Sequence, residues 1–239
     1  MKFKRFLVPF VAVAMCASMM PATVMADEVA SQEAVAYVKV LDDKSGSPAP
    51  SQGKCGKNLD YKISSDGKLV ISGSGAMTNY SAGSSPFYDY KDKITSIAFS
   101  GKVTSIGSYA FYGLSSIGAV SIHTGITTIG QGAFYGSSVT AIGGGASLKT
   151  IGKVAFKNTK KLGKFVITSK VLSSIGSQAF YGSALKTVKI AKTTKLTKKG
   201  VKGSLTGSSV KTVDVTNGKK LTYGTYFKKS NSGKKVTVK

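Results

Sequence analysis

A repeat of 22 to 25 residues between Ile97 and Val215 constrains this 239-residue chain more than any other feature of its sequence. Each copy opens with an apolar triplet, whose middle residues are Ile97, Val120, Ile142, Phe165, Val188 and Val213. Each copy then continues with Ile-Gly-x-x-Ala-Phe, at residues 106–111, 129–134, 151–156 and 175–180, with a divergent copy at 196–201. A period of this length predicts a solenoid.

The repeat unit predicts two short walls and a turn. In residues 118–122 the apolar side chains alternate with small or polar ones, so the triplet is a short strand with one buried face. An apolar pair spaced by three, such as Ile126 and Ile129, forms a second wall, and Ala-Phe forms a tight helical turn. The residue that ends the turn is Gly or Asn, the types that adopt a left-handed conformation at least cost. These residues are Gly113, Gly136, Asn158, Gly182 and Gly203.

One repeat cannot fold alone. It buries six or seven apolar side chains at roughly 1.5 to 3 kcal/mol each, against an ordering cost of roughly 1 to 2 kcal/mol for every residue. Stacking supplies the remaining area and the hydrogen bonds between strands. The glycines at 143–145 fall where a strand is expected and lack the following Lys-Ser/Thr of a phosphate-binding loop, so they indicate a weak rung.

The segment before the repeats predicts an N-terminal cap. Residues 60–64 and 68–72 alternate around a Ser-Asp-Gly turn, which indicates a β-hairpin over the first rung, with residues 86–90 packing on the same end. We therefore predict a mostly β, α/β-type solenoid with short parallel strands, short helical turns and a β-hairpin cap. A further alternating piece at 236–238 ends the chain.

The repeats, together with Cys-Gly-Lys-Asn-Leu at 55–59 and the segment at 69–77, resemble the BspA-like leucine-rich repeat proteins of bacterial surfaces. The resemblance covers roughly residues 53–215. It implies a leucine-rich repeat fold and export from the cell, and some members of that family act as adhesins toward host matrix proteins or other cells. The family brings no catalytic residues to this chain.

The predicted organisation has five segments. They are a signal peptide at 1–26, a flexible linker at 27–52, the β cap at 53–93, the solenoid at 94–216 and a degenerate C-terminal cap at 217–239.

Basic residues, an apolar run and small residues before Ala26 favour the signal peptide. A membrane anchor is the alternative, but the apolar run is short and contains Pro9. A lipoprotein would need a small residue, not Met15, before Cys16. Without a wall-sorting signal after Lys239, we expect secretion, or peripheral attachment to the cell surface.

Charge is distributed unevenly along the chain. Residues 1–26 hold three of the 34 basic residues and none of the ten acids, so their removal leaves a formal net charge of +21. No charged residue occurs in 103–148, whereas 149–239 holds 22 lysines and one acid, Asp214. Such a field attracts anionic polymers. Candidates are wall teichoic acid, acidic mucin or heparan-type glycans and extracellular DNA. Arg5 is the only arginine, which argues against specific nucleic-acid recognition. The charge is equally consistent with a solubilising surface.

The sequence offers little for catalysis, metals or cofactors. His123 is the only histidine and is expected on the outward side of its strand, so we predict no metal site and no cofactor. Cys55 is the only cysteine after residue 26, and a buried, unreactive thiol is a simpler interpretation than a nucleophile paired with His123.

Two sets of residues are predicted to bind a partner. The lysines at or beside the strands supply charge, and the aromatic residues that follow the buried phenylalanines could stack on sugar or protein, although partial burial between turns is an alternative role. The residues are Lys164, Lys186, Lys189, Lys211, Tyr112, Tyr135 and Tyr181. Lys189 and Asp214 occupy matching positions on adjacent rungs and are expected to pair.

The predicted function is that of a secreted or surface-associated, non-catalytic, adhesin-like binding protein. Its partners would be host extracellular matrix proteins or anionic polysaccharide. The alternative is a structural cell-wall protein held to teichoic acid, with no host ligand. An enzyme that uses Cys55 is a third hypothesis, and no transmembrane segment is expected once the signal peptide is removed.

Overall fold

The computed structural model describes residues 51–191, 195–215, 223, 225–227 and 236–238. The predicted signal peptide and almost all of the predicted linker lie outside the described residues, as does much of the predicted C-terminal cap. None of the helices in the described part of the chain has the length and apolar composition needed to cross a membrane.

Fourteen strands and one short 3-10 helix are described. They are β1 (Ser51–Gly56), β2 (Leu59–Ile63), β3 (Lys68–Ala76), the 3-10 helix (Tyr88–Tyr90), β4 (Ser96–Phe99), β5 (Lys102–Ile106), β6 (Ala119–Ile122), β7 (Thr128–Ile129), β8 (Ala141–Gly144), β9 (Thr150–Ile151), β10 (Lys164–Ile167), β11 (Ser174–Ile175), β12 (Thr187–Ile190), β13 (Thr212–Val215) and β14 (Thr237–Val238).

Five of the six apolar triplets, together with β14, form a parallel six-stranded sheet in the order β14-β13-β12-β10-β8-β6. The expectation that all six triplets share one sheet was wrong for the first, since β4 with Ile97 pairs with β3 of the cap. The predicted stacking of the middle residues is confirmed, because the register aligns one with the next on successive strands. The aligned residues are Val120, Ile142, Phe165, Val188 and Val213. The sheet continues through the glycine-rich strand β8, which pairs with β6 and β10 over its whole length. The predicted solenoid is therefore present, with this sheet as its first wall.

The second wall belongs to an eight-stranded sheet in the order β1-β2-β3-β5-β7-β9-β11, with β4 also paired to β3. Strands β2 and β3 form the predicted antiparallel hairpin. The sequence did not predict β1, which pairs antiparallel with β2 and begins at Ser51, two residues inside the predicted linker. The cap is thus a three-stranded antiparallel unit.

Strand β3 joins the cap to both walls of the solenoid. Its first half runs parallel to β4, and its second half runs parallel to β5. Gly73 and Gly75, with φ of 108° and 105°, lie where the strand passes from one partner to the other. A side chain on Gly73 would collide with the backbone carbonyl of Asn58. The last strand of the cap is therefore also the first rung of the solenoid.

The Ala-Phe turns form a third hydrogen-bonded wall. The residues predicted to end the first four turns, Gly113, Gly136, Asn158 and Gly182, have φ between 61° and 69°. The prediction was wrong for Gly203, because residues of positive φ recur four apart in each turn, so that Gly203 (71°) matches Gln178 and Gly207 (66°) ends the last turn. Three buried phenylalanines also donate their backbone N–H to the Ala carbonyl of the next turn, from Phe111 to Ala133, from Phe134 to Ala155 and from Phe156 to Ala179, all at 2.8 Å. Successive turns are therefore linked along the solenoid as the strands are.

A column of phenylalanine rings fills the core between the walls. The ring centroids of successive members lie 5.2 to 5.7 Å apart along Phe87, Phe111, Phe134, Phe156 and Phe180. Phe165 inserts from β10 with its ring edge-on to Phe156 and Phe180, at 5.3 and 5.0 Å. All of these rings are buried, so the core is continuous from the cap to the later repeats.

Candidate functional site

The four predicted lysines lie on or beside the six-stranded sheet. Lys164 begins β10 and Lys189 lies within β12, and both are exposed on the side opposite the buried residues of their strands. Lys186 and Lys211 immediately precede β12 and β13 and are exposed. The alternation that buries Phe165 and Val188 is what directs the neighbouring lysines into solvent.

Lys189 and Asp214 form the predicted pair. They are in register between β12 and β13, and the Lys189 Nζ lies 3.6 Å from an Asp214 carboxylate oxygen. The lysine side chain is 55% exposed, so the pair contributes at most about 1 kcal/mol to stability. Among the described residues, Lys164, Lys186 and Lys211 take part in no ion pair. These three lysines therefore carry more of the uncompensated positive charge than Lys189 does.

The three predicted tyrosines lie in one row on the wall of turns. The row comprises Tyr88, Tyr112, Tyr135, Lys157 and Tyr181, which we call the tyrosine row. Centroid distances are 5.9 Å from Tyr88 to Tyr112 and 5.5 Å from Tyr112 to Tyr135. The Lys157 Nζ lies over two rings, 5.5 Å from the centroid of Tyr135 and 5.0 Å from that of Tyr181. The row is continuous from the cap to the fourth complete repeat.

Neighbouring rings partly cover one another along the tyrosine row. Neighbouring rings face each other at interplanar angles of 36° and 38°, and Tyr112 and Tyr135 are half-buried. Tyr181 is 40% exposed, and a side chain on Gly207 would collide with its ring. The expected partial burial between turns is thus present at Tyr112 and Tyr135, and Tyr181 is the most accessible of the three predicted rings.

The structure separates the predicted site residues into two groups. The lysines belong to the six-stranded sheet and the segments that lead into it, whereas the tyrosines belong to the turns. Sequence reasoning did not place Tyr88 in the row, because Tyr88 precedes the first complete Ile-Gly-x-x-Ala-Phe copy. A signal was present, since Phe87-Tyr88 stands 24 residues before Phe111-Tyr112 and stacks on that pair in the same order.

The residues considered for catalysis do not form a reactive pair. Cys55 is a free, buried cysteine, and desolvation by burial, with a smaller contribution from the charge of Asp60, raises the pKa of its thiol to about 11. His123 follows β6 and is half-buried, and its Nδ1 accepts a hydrogen bond from the Gly125 backbone N–H at 3.2 Å. Within the described ranges, no three His, Cys, Asp or Glu side chains cluster as ligands for a metal ion.

Comparison with known proteins identifies the repeat. Residues 81–206 match six copies of the sequence model for the BspA-type leucine-rich repeat region. The crystal structure of a leucine-rich repeat protein from Eubacterium ventriosum is similar in fold, with a TM-score of 0.61 and 24% sequence identity; the match covers 72% of this chain and 46% of that protein. This chain thus spans about half the length of that relative.

Two other comparisons add less. A leucine-rich cell surface protein from Faecalibacterium prausnitzii matches at 15% identity over 71% of this chain and 84% of its own, and its TM-score of 0.20 is too low to indicate a shared fold. No curated protein matches the chain.

Proposed function

Because the chain belongs to the BspA-type leucine-rich repeat family, whose members are typically surface proteins, we propose that it is a non-catalytic binding protein of the cell surface or extracellular space. Its partner is an anionic polysaccharide or a host extracellular matrix protein with an acidic surface. The solenoid is the scaffold, and the lysines of the later repeats supply the long-range attraction.

The placement of the lysines supports this proposal. Every described lysine from Lys149 to Lys211 is exposed except Lys157, which is half-buried against two tyrosines. Residues 103–148 contribute no charge to the earlier repeats. A scaffold with regularly spaced rungs that is positive over its later rungs suits a linear partner with repeated negative charges. Lysine provides point charges without the fork of arginine, so the attraction depends on charge density more than on geometry.

The absence of catalysis is part of the proposal. A buried thiol with a pKa of about 11 is almost entirely protonated at neutral pH and is a poor nucleophile. The half-buried imidazole of His123 lies in a different element from Cys55. These observations favour a binding role over the hydrolytic alternative.

Binding of the full chain to immobilised fibronectin, heparin and purified teichoic acid, at low and at high salt, tests the proposal. Exchange of Lys153, Lys161 and Lys170 for glutamine should weaken binding by about tenfold, because each exposed charge contributes a fraction of a kcal/mol. The matched control exchanges Lys57, Lys62 and Lys93, which removes the same charge from the cap and should leave binding near the wild-type level. All six lysines are exposed. The proposal would be refuted if the full chain bound none of the three partners at low salt.

The second candidate function is a structural protein held to the wall by teichoic acid without a host ligand. The same lysine-rich rungs support this role, since a phosphodiester polymer needs only closely spaced positive charges. Cell fractionation distinguishes the two functions. Release of the protein from intact cells by high salt, together with no affinity for fibronectin or heparin, would favour the structural role.

A further inference from the structure

A cavity of about 460 Å³ lies where the chain enters the last strands of the six-stranded sheet. It is lined by Lys186, Ser208, Ser209, Val210, Lys211, Thr212 and Thr237. We call it the lysine cleft. Two of its seven lining residues are cationic, four carry hydroxyl groups and none is acidic.

The two lysines of the cleft are brought together by the stacking of rungs. The Lys211 backbone N–H donates to the Lys186 carbonyl at 2.8 Å, and the Thr237 N–H donates to the Lys211 carbonyl at 2.9 Å. Lys186 and Lys211 therefore hold the same position on successive rungs, about 4.8 Å apart along the solenoid. Both side chains are exposed, and among the described residues neither is paired with an acid.

Hydroxyl groups complete the lining beside the two ammonium groups. Thr212 and Ser209 are half-buried and Thr237 is exposed. Ser208 is buried, and its Oγ accepts a hydrogen bond from the Val210 N–H at 3.4 Å. A hydroxyl can donate its hydrogen to an anion.

The acid nearest in sequence to the cleft is already engaged. Asp214 stands two residues after Thr212 on the same face of β13, and its carboxylate pairs with Lys189. Its negative charge is thus partly offset by Lys189. The cleft therefore combines two positive charges with neutral hydrogen-bond donors, an arrangement that suits an anion.

We propose that the lysine cleft is a saturable site for one tetrahedral oxyanion, a phosphate or sulfate ester carried on a polymer. This inference rests on the proposed function and deepens it, because it assigns part of the binding to one site rather than to the whole cationic surface. A tetrahedral anion offers several acceptor oxygens, so it can contact both ammonium groups and a hydroxyl at once. A wall phosphodiester and a sulfated glycan share this chemistry.

The test compares two double variants of the full chain by calorimetric titration at low salt. The probes are a short glycerol-phosphate oligomer and a short sulfated heparin oligosaccharide, which separate the two sources of the anion. We expect exchange of Lys186 and Lys211 for glutamine to weaken binding of the preferred probe by about tenfold. Exchange of Lys195 and Lys198, exposed lysines that do not line the cleft, removes the same charge and should cost no more than about twofold.

A third variant separates hydrogen bonding from charge. Thr212→Val keeps the shape and charge of the cleft and suits a strand, but it removes one hydroxyl donor, so we expect binding to weaken by about threefold. Equal losses in the two double variants, or no effect of Thr212→Val, would overturn the site while leaving the proposed binding function intact. The absence of saturable one-to-one binding of both probes by the wild-type chain would also overturn it.

Discussion

In each Ala-Phe turn a second residue, besides the one that ends the turn, adopts a left-handed conformation, and in three of the four turns it is not glycine. The positions directly before the buried Ala have positive φ: 51° at Tyr109, 59° at Gly132, 49° at Val154 and 56° at Gln178. The N–H at this position donates to the next turn, as from Val154 to the Ser177 carbonyl at 3.1 Å. Stacking therefore imposes the conformation, and only one of the four residues is glycine. The β-branched Val154 is the least suited of them.

Val154→Asn should stabilise the protein. Asparagine enters the left-handed region more readily than valine, as Asn158 does four residues later, so we expect the free energy of unfolding to rise by about 1 kcal/mol. Urea unfolding with an unchanged m-value measures it. Val154→Ala is the control, because alanine removes the branch but retains Cβ, and its effect should be smaller. A loss of stability in Val154→Asn would show that the contacts of the valine side chain outweigh its backbone strain.

Cys55 predicts a loss of stability at alkaline pH. Burial raises the pKa of its thiol from the usual value of 9.0 to about 11, so the folded chain retains a proton that the unfolded chain releases between these values. Stability should therefore fall as the pH rises from 9 toward 11. The measurement is urea unfolding across this range, with Cys55→Ala as the control for the other titrating groups. Rapid alkylation of Cys55 in the folded chain at pH 8 would contradict the burial on which the prediction depends.

At the scale of elements, the glycine of each Ile-Gly pair permits the close stacking of turns. A Cβ added to Gly130 would lie 2.5 Å from the Ser108 backbone nitrogen, and one added to Gly152 would lie 2.6 Å from that of Gln131. A Cβ added to Gly176 would meet backbone atoms of Gly152 and Lys153 in the same way, and one added to Gly107 would meet the Thr78 carbonyl that follows β3. The glycine is thus required by its neighbour in space, since none of these four residues has a positive φ.

Gly152→Ala should destabilise the solenoid by about 3 kcal/mol, because the atoms it would meet are backbone atoms that cannot move aside. The matched control is Gly143→Ala in β8, where an added Cβ has no atom within 4 Å and the backbone is not left-handed. That substitution should be neutral or stabilising by less than about 1 kcal/mol. Thermal and urea unfolding of both variants make the comparison. Equal effects would mean that the Ile-Gly motif reflects conformational freedom rather than packing.

The strands and turns that the sequence predicted are those whose apolar side chains recur with the period of the repeat. Alternation identified the six-stranded sheet and its register through Val120 and Ile142, and Gly or Asn identified the ends of the turns. Strand β1 was not predictable, because Cys55 is its only buried side chain and its pairing with β2 defines it as a strand. The hydrogen bonds between turns also left no pattern in the sequence, since backbone groups of any residue type can form them.

At the scale of the whole molecule, pairs of neighbouring site residues were predictable from the sequence, but the lysine cleft was not. Periodicity indicated that Tyr112 and Tyr135 would be neighbours, and their centroids are 5.5 Å apart. Register likewise indicated the pairing of Lys189 with Asp214. The lysine cleft has no such signal, because its lining comes from segments that lead into three successive strands, including β14 beyond the last regular repeat. A cavity of this kind depends on how the last strands and the segments before them pack together, and the period of the repeat does not specify that packing.

The continuous core makes stability a property of neighbouring rungs. Phe156 stacks between Phe134 and Phe180 at 5.3 and 5.7 Å and contacts the edge of Phe165. The cap meets this column at its other end, where Phe87 stacks on Phe111 with ring centroids 5.6 Å apart. In a solenoid each repeat contacts its immediate neighbours, so a defect in one rung acts first on the rungs beside it.

Phe156→Ala should therefore cost about 3 to 5 kcal/mol in the rungs around it and less in the cap. Hydrogen exchange measured segment by segment should show the largest loss of protection from β8 to β11 and a smaller loss in β2 and β3. The matched control is Phe99→Ala, which removes a half-buried ring that contacts Phe111 near the cap and should reverse the gradient. An equal loss of protection in every segment of both variants would contradict this prediction. It would mean that the coupling between rungs exceeds the cost of the defect, so that the solenoid unfolds as one cooperative unit.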